Sequence, residues 1–241
     1  GYKVEVETLR IDYPFTFIRP GIETFESWGN VHKLLNLCAL KYGLKFKEHP
    51  SSEGEEGYST ADNFFSHKIK ISIYNQALKL REKSKFNEYE TTREKFNDLE
   101  QRTRIEVSNR LRIKGSKLSL KNVKNKAYEV IEEVYFNNLD LVLNEKAEKL
   151  TKELNEARSE TKFRIEIFIK DNLSNIYDLD ILKKAIKLSY KSPKSAEEVI
   201  TKSKKILLKV EEKTGIFFIG NLKRVKELKK QLKKEKRSPT T

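Results

Sequence analysis

The sequence of 241 residues contains no methionine, one cysteine and one tryptophan, with nine glycines and five prolines. A single cysteine, Cys38, excludes an internal disulfide and favours a reducing, cytoplasmic setting. No run of about 18 apolar residues is present, which predicts no transmembrane helix, and the first residues lack a signal-peptide pattern. A chain of this length normally carries several methionines. We therefore expect that the sequence has been trimmed or that its methionine residues are missing.

Several familiar catalytic signatures are also missing. The chain has no cysteine-rich metal motif, no glycine-rich phosphate loop and no Ser/His/Asp signature. Its three histidines, His32, His49 and His67, are scattered and form no His-x-His pair. Any chemistry therefore has to come from carboxylates, tyrosines and basic side chains.

Charge is the most prominent feature that is present. Charged residues make up 36 % of the chain, and the formal net charge is +14. Such a surplus indicates a polyanionic partner, with nucleic acid first and an acidic membrane surface second. The alternative is a solvated surface in a protein from a lysine-rich, AT-rich genome. Apolar residues at 37 % and aromatic residues at 10 % are typical of a globular protein.

Periodicity predicts a β-rich first half and a helical second half. Period-two alternation predicts strands in residues 2–18, 44–47, 58, 64–73 and 103–113, and apolar spacing predicts a helix over 22–42. From residue 122 the pattern is helical, apart from 163–169, where strand and helix both remain open. Ser195 is predicted to cap a helix, and a very basic helix is predicted over 221–236. We therefore predict an α+β fold, with a β-rich domain built on an antiparallel sheet in residues 1–115 and a helical, basic region for DNA binding or self-association in residues 116–241.

Tyr74 lies where an alternating segment gives way to a helical one. Residues 69–73 alternate between isoleucine and polar side chains, whereas Leu78 and Leu80 follow helical spacing. A side chain at such a junction is held by rigid structure and can still reach solvent, which suits a reactive group. The basic residues around it, expected to bind DNA phosphates, are Lys68, Lys70, Lys79 and Arg81.

Three acidic residues, Glu5, Asp12 and Glu106, lie in predicted strands. If these strands are neighbours, the carboxylates converge on one sheet face and suit Mg²⁺ or Mn²⁺. A bound cation would polarise a phosphodiester that the Tyr74 oxygen attacks, giving a phosphotyrosine link to DNA. Each residue also has a structural interpretation, as an ion pair or a core side chain. The strand residues predicted to bind DNA phosphates are Arg10, Arg104, Arg110 and Arg112.

Four segments follow one another in a distinctive order. They are Leu9-Arg10-Ile11-Asp12, a helix, a hairpin-like pair that ends Ile71-Ser72-Ile73-Tyr74-Asn75-Gln76, and Arg104-Ile105-Glu106-Val107. This order resembles the catalytic domain of rolling-circle replication initiators, above all those of small Gram-positive plasmids and the gene II nicking proteins of filamentous phages. The resemblance covers about residues 2–115. It implies a sheet with a metal-dependent active site, in which Tyr74 nicks one DNA strand at an origin and Asp12 belongs to the metal site. Tyr2-Lys3-Val4-Glu5-Val6 resembles a further acid-bearing strand.

Three functions remain open from the sequence. The first is an initiator that nicks and rejoins single-stranded or hairpin origin DNA, as a homodimer or with a helicase and without a membrane. The second is a non-catalytic, basic DNA-binding or plasmid-maintenance protein on the same scaffold. The third is a helical interaction protein whose basic tail touches a membrane or a partner. Metal-dependent cleavage separates the first from the others, and steep salt dependence of DNA binding separates the second from the third.

Overall fold

A computed structural model describes residues 9–49, 58–62, 69–77, 98–111 and 120–237. Side chains are described for residues 12–44, 71–77, 98–107 and 124–237. Several residues singled out by the sequence lie outside the described residues altogether, namely Glu5, Lys68, Lys79, Arg81 and Arg112.

The chain is α+β, as predicted, and the strands that the structure describes form one antiparallel sheet. These strands are β1 (Leu9–Ile18), β2 (Lys45–His49), β3 (Tyr58–Asp62), β4 (Ile69–Asn75) and β5 (Arg102–Leu111). They stand in the order β1-β5-β4-β3-β2, so β5 lies between β1 and β4.

Helices dominate the chain after β5. The described α-helices are α1 (Gly29–Lys41), α2 (Leu120–Tyr135), α3 (Leu139–Ser159), α4 (Ile165–Asp171), α5 (Leu179–Ser189), α6 (Pro193–Thr214) and α7 (Asn221–Arg237). The helix predicted over 22–42 starts later than expected, because a 3-10 turn at Glu26–Trp28 precedes α1. Residues 163–169, left open by the sequence, become helical at Ile165.

The start of α6 differs from the sequence prediction. The predicted cap at Ser195 is wrong, because the capping residue is Ser192, three residues earlier. The hydroxyl of Ser192 accepts a hydrogen bond from the backbone N–H of Ser195 at 3.4 Å, and Pro193 occupies the first turn. Proline suits this position, since its fixed φ is helical and its missing N–H would lack a helical partner.

Contacts divide the chain into two compact units. The first contains residues 1–25, 38–137 and 228–241, and the second contains residues 26–37 and 138–227. The predicted boundary at 115/116 follows the change from strands to helices along the chain. The two units are instead defined by which residues pack together, and each unit contains more than one stretch of the chain.

The apolar face of β1, β4 and β5 is formed by odd-numbered residues, as the alternation predicts. An antiparallel sheet commonly packs one face on the core and leaves the other polar. The aromatic ring of Phe15 also meets that of Tyr128 on α2 edge-on, with 6.2 Å between the ring centroids. The buried members of this face are Phe15, Phe17, Ile71, Ile73, Ile105 and Val107.

In the second unit, the buried side chain of Asp178 ties two helices together. Its carboxylate accepts a hydrogen bond from the N–H of Asp180 at 2.7 Å and from the N–H of Leu222 at 3.1 Å. It therefore caps α5 and the first turn of α7, satisfying N–H groups that lack helical partners. Burial raises the pKa of Asp178, against these two backbone hydrogen bonds, which lower it.

Within the described ranges, none of the helices combines the length and the apolar content that a membrane span requires.

Two tyrosines on one side of α2 give a stability test. The buried hydroxyl of Tyr135 has no hydrogen-bond partner among the described residues, whereas that of Tyr128 donates to Glu235 at 3.1 Å. Tyr135→Phe should therefore leave the free energy of unfolding unchanged or raise it by about 1 kcal/mol, while Tyr128→Phe should lower it by about 1 kcal/mol. Urea unfolding measures both, and equal losses in the two variants would contradict the assignment.

Candidate active site

The register of β1, β5 and β4 places nine residues in three adjacent rows. Since alternate residues of a strand share a face, all nine belong to one side of the sheet, called the polar face here. The rows are Thr16, Arg104 and Tyr74; Pro14, Glu106 and Ser72; and Asp12, Ser108 and Lys70.

Tyr74 and Glu106 are joined across the β4–β5 pairing. The Tyr74 hydroxyl donates a hydrogen bond to Oε2 of Glu106 at 2.6 Å. Arg104, directly opposite Tyr74, hydrogen-bonds the same tyrosine, and its Nε donates to Oγ1 of Thr16 at 3.3 Å. A phenol, a carboxylate and a guanidinium thus form one hydrogen-bonded cluster on the polar face.

The surroundings of Tyr74 keep its phenol protonated. Burial raises its pKa most, and the hydrogen bond and negative charge of Glu106 raise it further. The hydrogen bond and positive charge of Arg104 act in the opposite direction. The tyrosine can therefore act as a nucleophile only if its proton leaves as it attacks, and Glu106 is the group placed to accept that proton.

Access to Tyr74 is restricted. Its side chain is only 3 % exposed, whereas Glu106 and Arg104 are partly exposed and Asp12 is exposed. A phosphodiester would reach the hydroxyl only after the groups that cover it have moved. The solvent-accessible part of the site is therefore the carboxylate end of the polar face.

The carboxylates of the polar face can be tested against a divalent metal. Asp12 and Glu106 are diagonal neighbours on β1 and β5, a relation that puts Cβ atoms about 7–8 Å apart or somewhat less. Among the described residues, no group of three or more His, Cys, Asp or Glu side chains is arranged to hold a metal. Mg²⁺ commonly binds through only one or two carboxylates, with water and substrate phosphate completing the shell. Asp12 and Glu106 alone would therefore supply only part of a Mg²⁺ shell, and water and substrate phosphate would have to complete it.

The basic residues predicted to contact DNA are not equivalent. The backbone register puts residues 10 and 110 opposite each other, one row beyond Asp12. Arg104, in contrast, is engaged with Tyr74 and Thr16 within the sheet. The sheet thus brings Arg10, Lys70, Arg104 and Arg110 into the rows around Asp12 and Glu106.

Arg19 is a structural residue that sequence analysis missed. It is 2 % exposed, and its guanidinium donates to Oγ1 of Thr103 at 2.5 Å and to the carbonyl oxygen of Glu100. Its backbone N–H also donates to the carbonyl oxygen of Gln101 at 2.9 Å. Arg19 therefore fastens the end of β1 to the start of β5. Its only sequence signal is its position directly before a Pro-Gly turn.

Cys38 is not a competing nucleophile. It is fully buried, and burial raises the pKa of its thiol to about 12. A thiol with such a pKa is almost wholly protonated near neutral pH, whereas the thiolate is the reactive form.

Comparisons with protein-family models, with curated proteins and with solved structures returned no match to this chain.

The hydrogen-bonded cluster makes a prediction about ionisation. Tyr74 should stay protonated above pH ~10, where a free tyrosine is half ionised. Glu106→Gln should let it ionise at lower pH, because the neighbouring negative charge is removed. The measurement is the ultraviolet titration of phenolate absorbance, with the Tyr74→Phe difference isolating Tyr74.

Glu133→Gln is the matched control for this titration. Glu133 accepts a hydrogen bond from the hydroxyl of Tyr42 at 3.0 Å, so its replacement should affect Tyr42 and leave the Tyr74 difference signal in place. Ionisation of Tyr74 at its ordinary pKa in the unaltered chain would refute the cluster.

Proposed function

We propose that this protein is a replication initiator that nicks and rejoins single-stranded DNA at an origin through a covalent bond between Tyr74 and DNA. The observation that carries the proposal is the 2.6 Å hydrogen bond from the Tyr74 hydroxyl to Glu106, beside Arg104. In this proposal Tyr74 is the nucleophile, Glu106 is the proton acceptor and Arg104 is the stabilising cation, all on one face of the sheet. The resemblance to rolling-circle initiators rests on the same segments of the chain.

The proposed reaction is a displacement at phosphorus. The Tyr74 oxygen forms a bond to the phosphorus of the scissile phosphodiester while its proton passes to Glu106. The bond from phosphorus to the leaving sugar oxygen breaks, and that oxygen takes up a proton from water. The phosphotyrosine diester conserves the energy of the broken bond, so a strand-end hydroxyl can reverse the reaction and rejoin the DNA.

Arg104 has an electrostatic role in this reaction. As Tyr74 loses its proton, negative charge develops on the phenol oxygen and on the attacked phosphate. A fixed guanidinium beside the hydroxyl stabilises that charge without having to reorganise, an effect typically worth about 10²- to 10³-fold in rate. Thr16, which accepts a hydrogen bond from Arg104, helps to orient the guanidinium.

The proposal includes a divalent cation. Asp12 is the carboxylate that would hold Mg²⁺ or Mn²⁺, with Glu106 beside it and Glu5 a further candidate from the sequence. When bound, the cation would polarise the phosphodiester oxygens. Because Glu106 accepts the hydrogen bond of the Tyr74 hydroxyl and is the proposed base, we assign the main metal contact to Asp12.

A second function is favoured by the burial of Tyr74. A tyrosine that is 3 % exposed and hydrogen-bonded across two strands can be purely structural. The basic surplus of the chain would then serve DNA binding without cleavage. This is the non-catalytic DNA-binding protein on the same scaffold.

An adduct assay separates the two functions. Single-stranded oligonucleotides from the cognate origin, or a random pool, are incubated with the protein and Mn²⁺ and then separated under denaturing conditions. We expect a protein–DNA adduct that disappears with EDTA and with Tyr74→Phe. Tyr42→Phe is the control, because Tyr42 also donates to a glutamate and should not be needed. Salt-sensitive DNA binding without any adduct would establish the non-catalytic function.

Glu106→Gln tests the proton-transfer step separately. Loss of the proton acceptor should slow adduct formation by about 10²- to 10⁴-fold, the usual contribution of a positioned base. DNA binding measured without a divalent metal should not be weakened, because glutamine preserves the size of the side chain and removes a negative charge that repels phosphate. An unaltered rate of adduct formation in this variant would exclude Glu106 as the base.

A further inference from the structure

Helix α6, within the second unit, carries a row of lysines on its outer side. Lys205, Lys209 and Lys213 are spaced by four residues and are all exposed, as is the adjacent Lys204. Residues four apart lie on the same side of a helix, about 6 Å apart along its axis. The opposite side is buried in the core of the unit through Ala196, Ile200, Ser203 and Leu207.

Nearby acidic residues neutralise this row only in part. Glu212 is exposed and lies three residues after Lys209 on the same side of the helix, so it offsets some of the positive charge. Glu211 is used inside the unit, since its Oε1 accepts hydrogen bonds from the N–H groups of Phe218 at 2.5 Å and Ile219 at 2.7 Å. Glu166 pairs with Lys202 at 2.7 Å, one turn before the row. Among the described residues, Lys205, Lys209 and Lys213 have no ion-pair partner.

The positive charge that remains on the row has a cost in the isolated protein. Like charges four residues apart on a helix repel one another and weaken it. The row is therefore more favourable when an anionic polymer lies against it and supplies several negative charges at short intervals. DNA provides them, with one phosphate per 3.4 Å of axial rise on each strand.

The surroundings of the row distinguish nucleic acid from membrane. A helix that binds a membrane surface needs an exposed apolar side to bury among the lipids. On α6 the apolar side is already buried in the protein, and Leu208, 39 % exposed, is the one large apolar residue of this helix that is exposed. Lysine ammonium groups are point charges suited to phosphates and lack the planar, bidentate fork of arginine.

We propose that the lysine row of α6, Lys205, Lys209 and Lys213, binds the phosphate backbone of nucleic acid independently of its sequence. This surface is separate from the Tyr74 site, and its function does not require Tyr74 to be catalytic. It would keep the protein on DNA before and after any reaction at the sheet.

The test compares two triple variants of the full chain. Lys205, Lys209 and Lys213 are replaced by glutamine in one, and the scattered, exposed Lys152, Lys162 and Lys170 of the same unit are replaced in the other. Binding to mixed-sequence duplex and single-stranded DNA is measured by fluorescence anisotropy in EDTA across a salt series. The α6 variant should lose at least about tenfold in duplex affinity at 0.1 M salt, with its log–log salt slope reduced by about 2 to 3. The control should keep the slope of the unaltered chain.

Further measurements make the outcome decisive. Replacing the same three lysines by arginine should preserve the salt slope, which excludes a general disturbance of α6. Equal losses in both glutamine variants would show a net-charge effect and overturn the proposal, as would no loss in either. Retained DNA binding with lost binding to phosphatidylserine-containing vesicles would assign the row to a membrane surface instead. Because these assays contain no metal, failure of the adduct assay does not affect them.

Discussion

The pairing of β5 between β1 and β4 is the constraint on which the candidate site depends. A slip of one residue would move Glu106 to the opposite face, away from Tyr74, and would expose the buried Ile105. Arg19 holds this register at one end, because its side chain and backbone both bind the segment that leads into β5. The apolar face supports it along the strands. Packing and one buried arginine thus determine which side chains meet on the polar face.

The contacts of Tyr74 have opposing effects on the loss of its proton. Burial and the hydrogen bond to Glu106 keep the phenol protonated, while the same glutamate is positioned to remove the proton during attack. Arg104 favours the anion that would form. In the proposed reaction the hydroxyl would have to be uncovered first, and binding of DNA would have to supply the energy that exposes it. The proposed binding of DNA to the lysine row on α6 would not depend on this opening.

Much of the fold follows from local pattern in the sequence. Alternation correctly separated the polar and apolar sides of β1, β4 and β5, and it placed Tyr74, Asp12 and Glu106 on strands. The strand order could not be predicted, because alternation reports on neighbours two residues apart, whereas the sheet also brings together residues far apart in the sequence, such as Tyr74 and Glu106, which are 32 positions apart. The role of Arg19 could not be predicted for the same reason, because its partners Thr103 and Glu100 are distant in the sequence. The cap of α6 was misplaced because two serines near Pro193 offered similar local signals.

A double-mutant cycle on Tyr74 and Glu106 tests the central claim most directly. The free energy of unfolding is measured in urea for the unaltered chain, for Tyr74→Phe, for Glu106→Gln and for the double variant. The account predicts a coupling energy of about 1.5–3 kcal/mol, as expected for a hydrogen bond to a charged group. Additive effects within about 0.5 kcal/mol would mean that the two residues do not interact, and would contradict the proposed site.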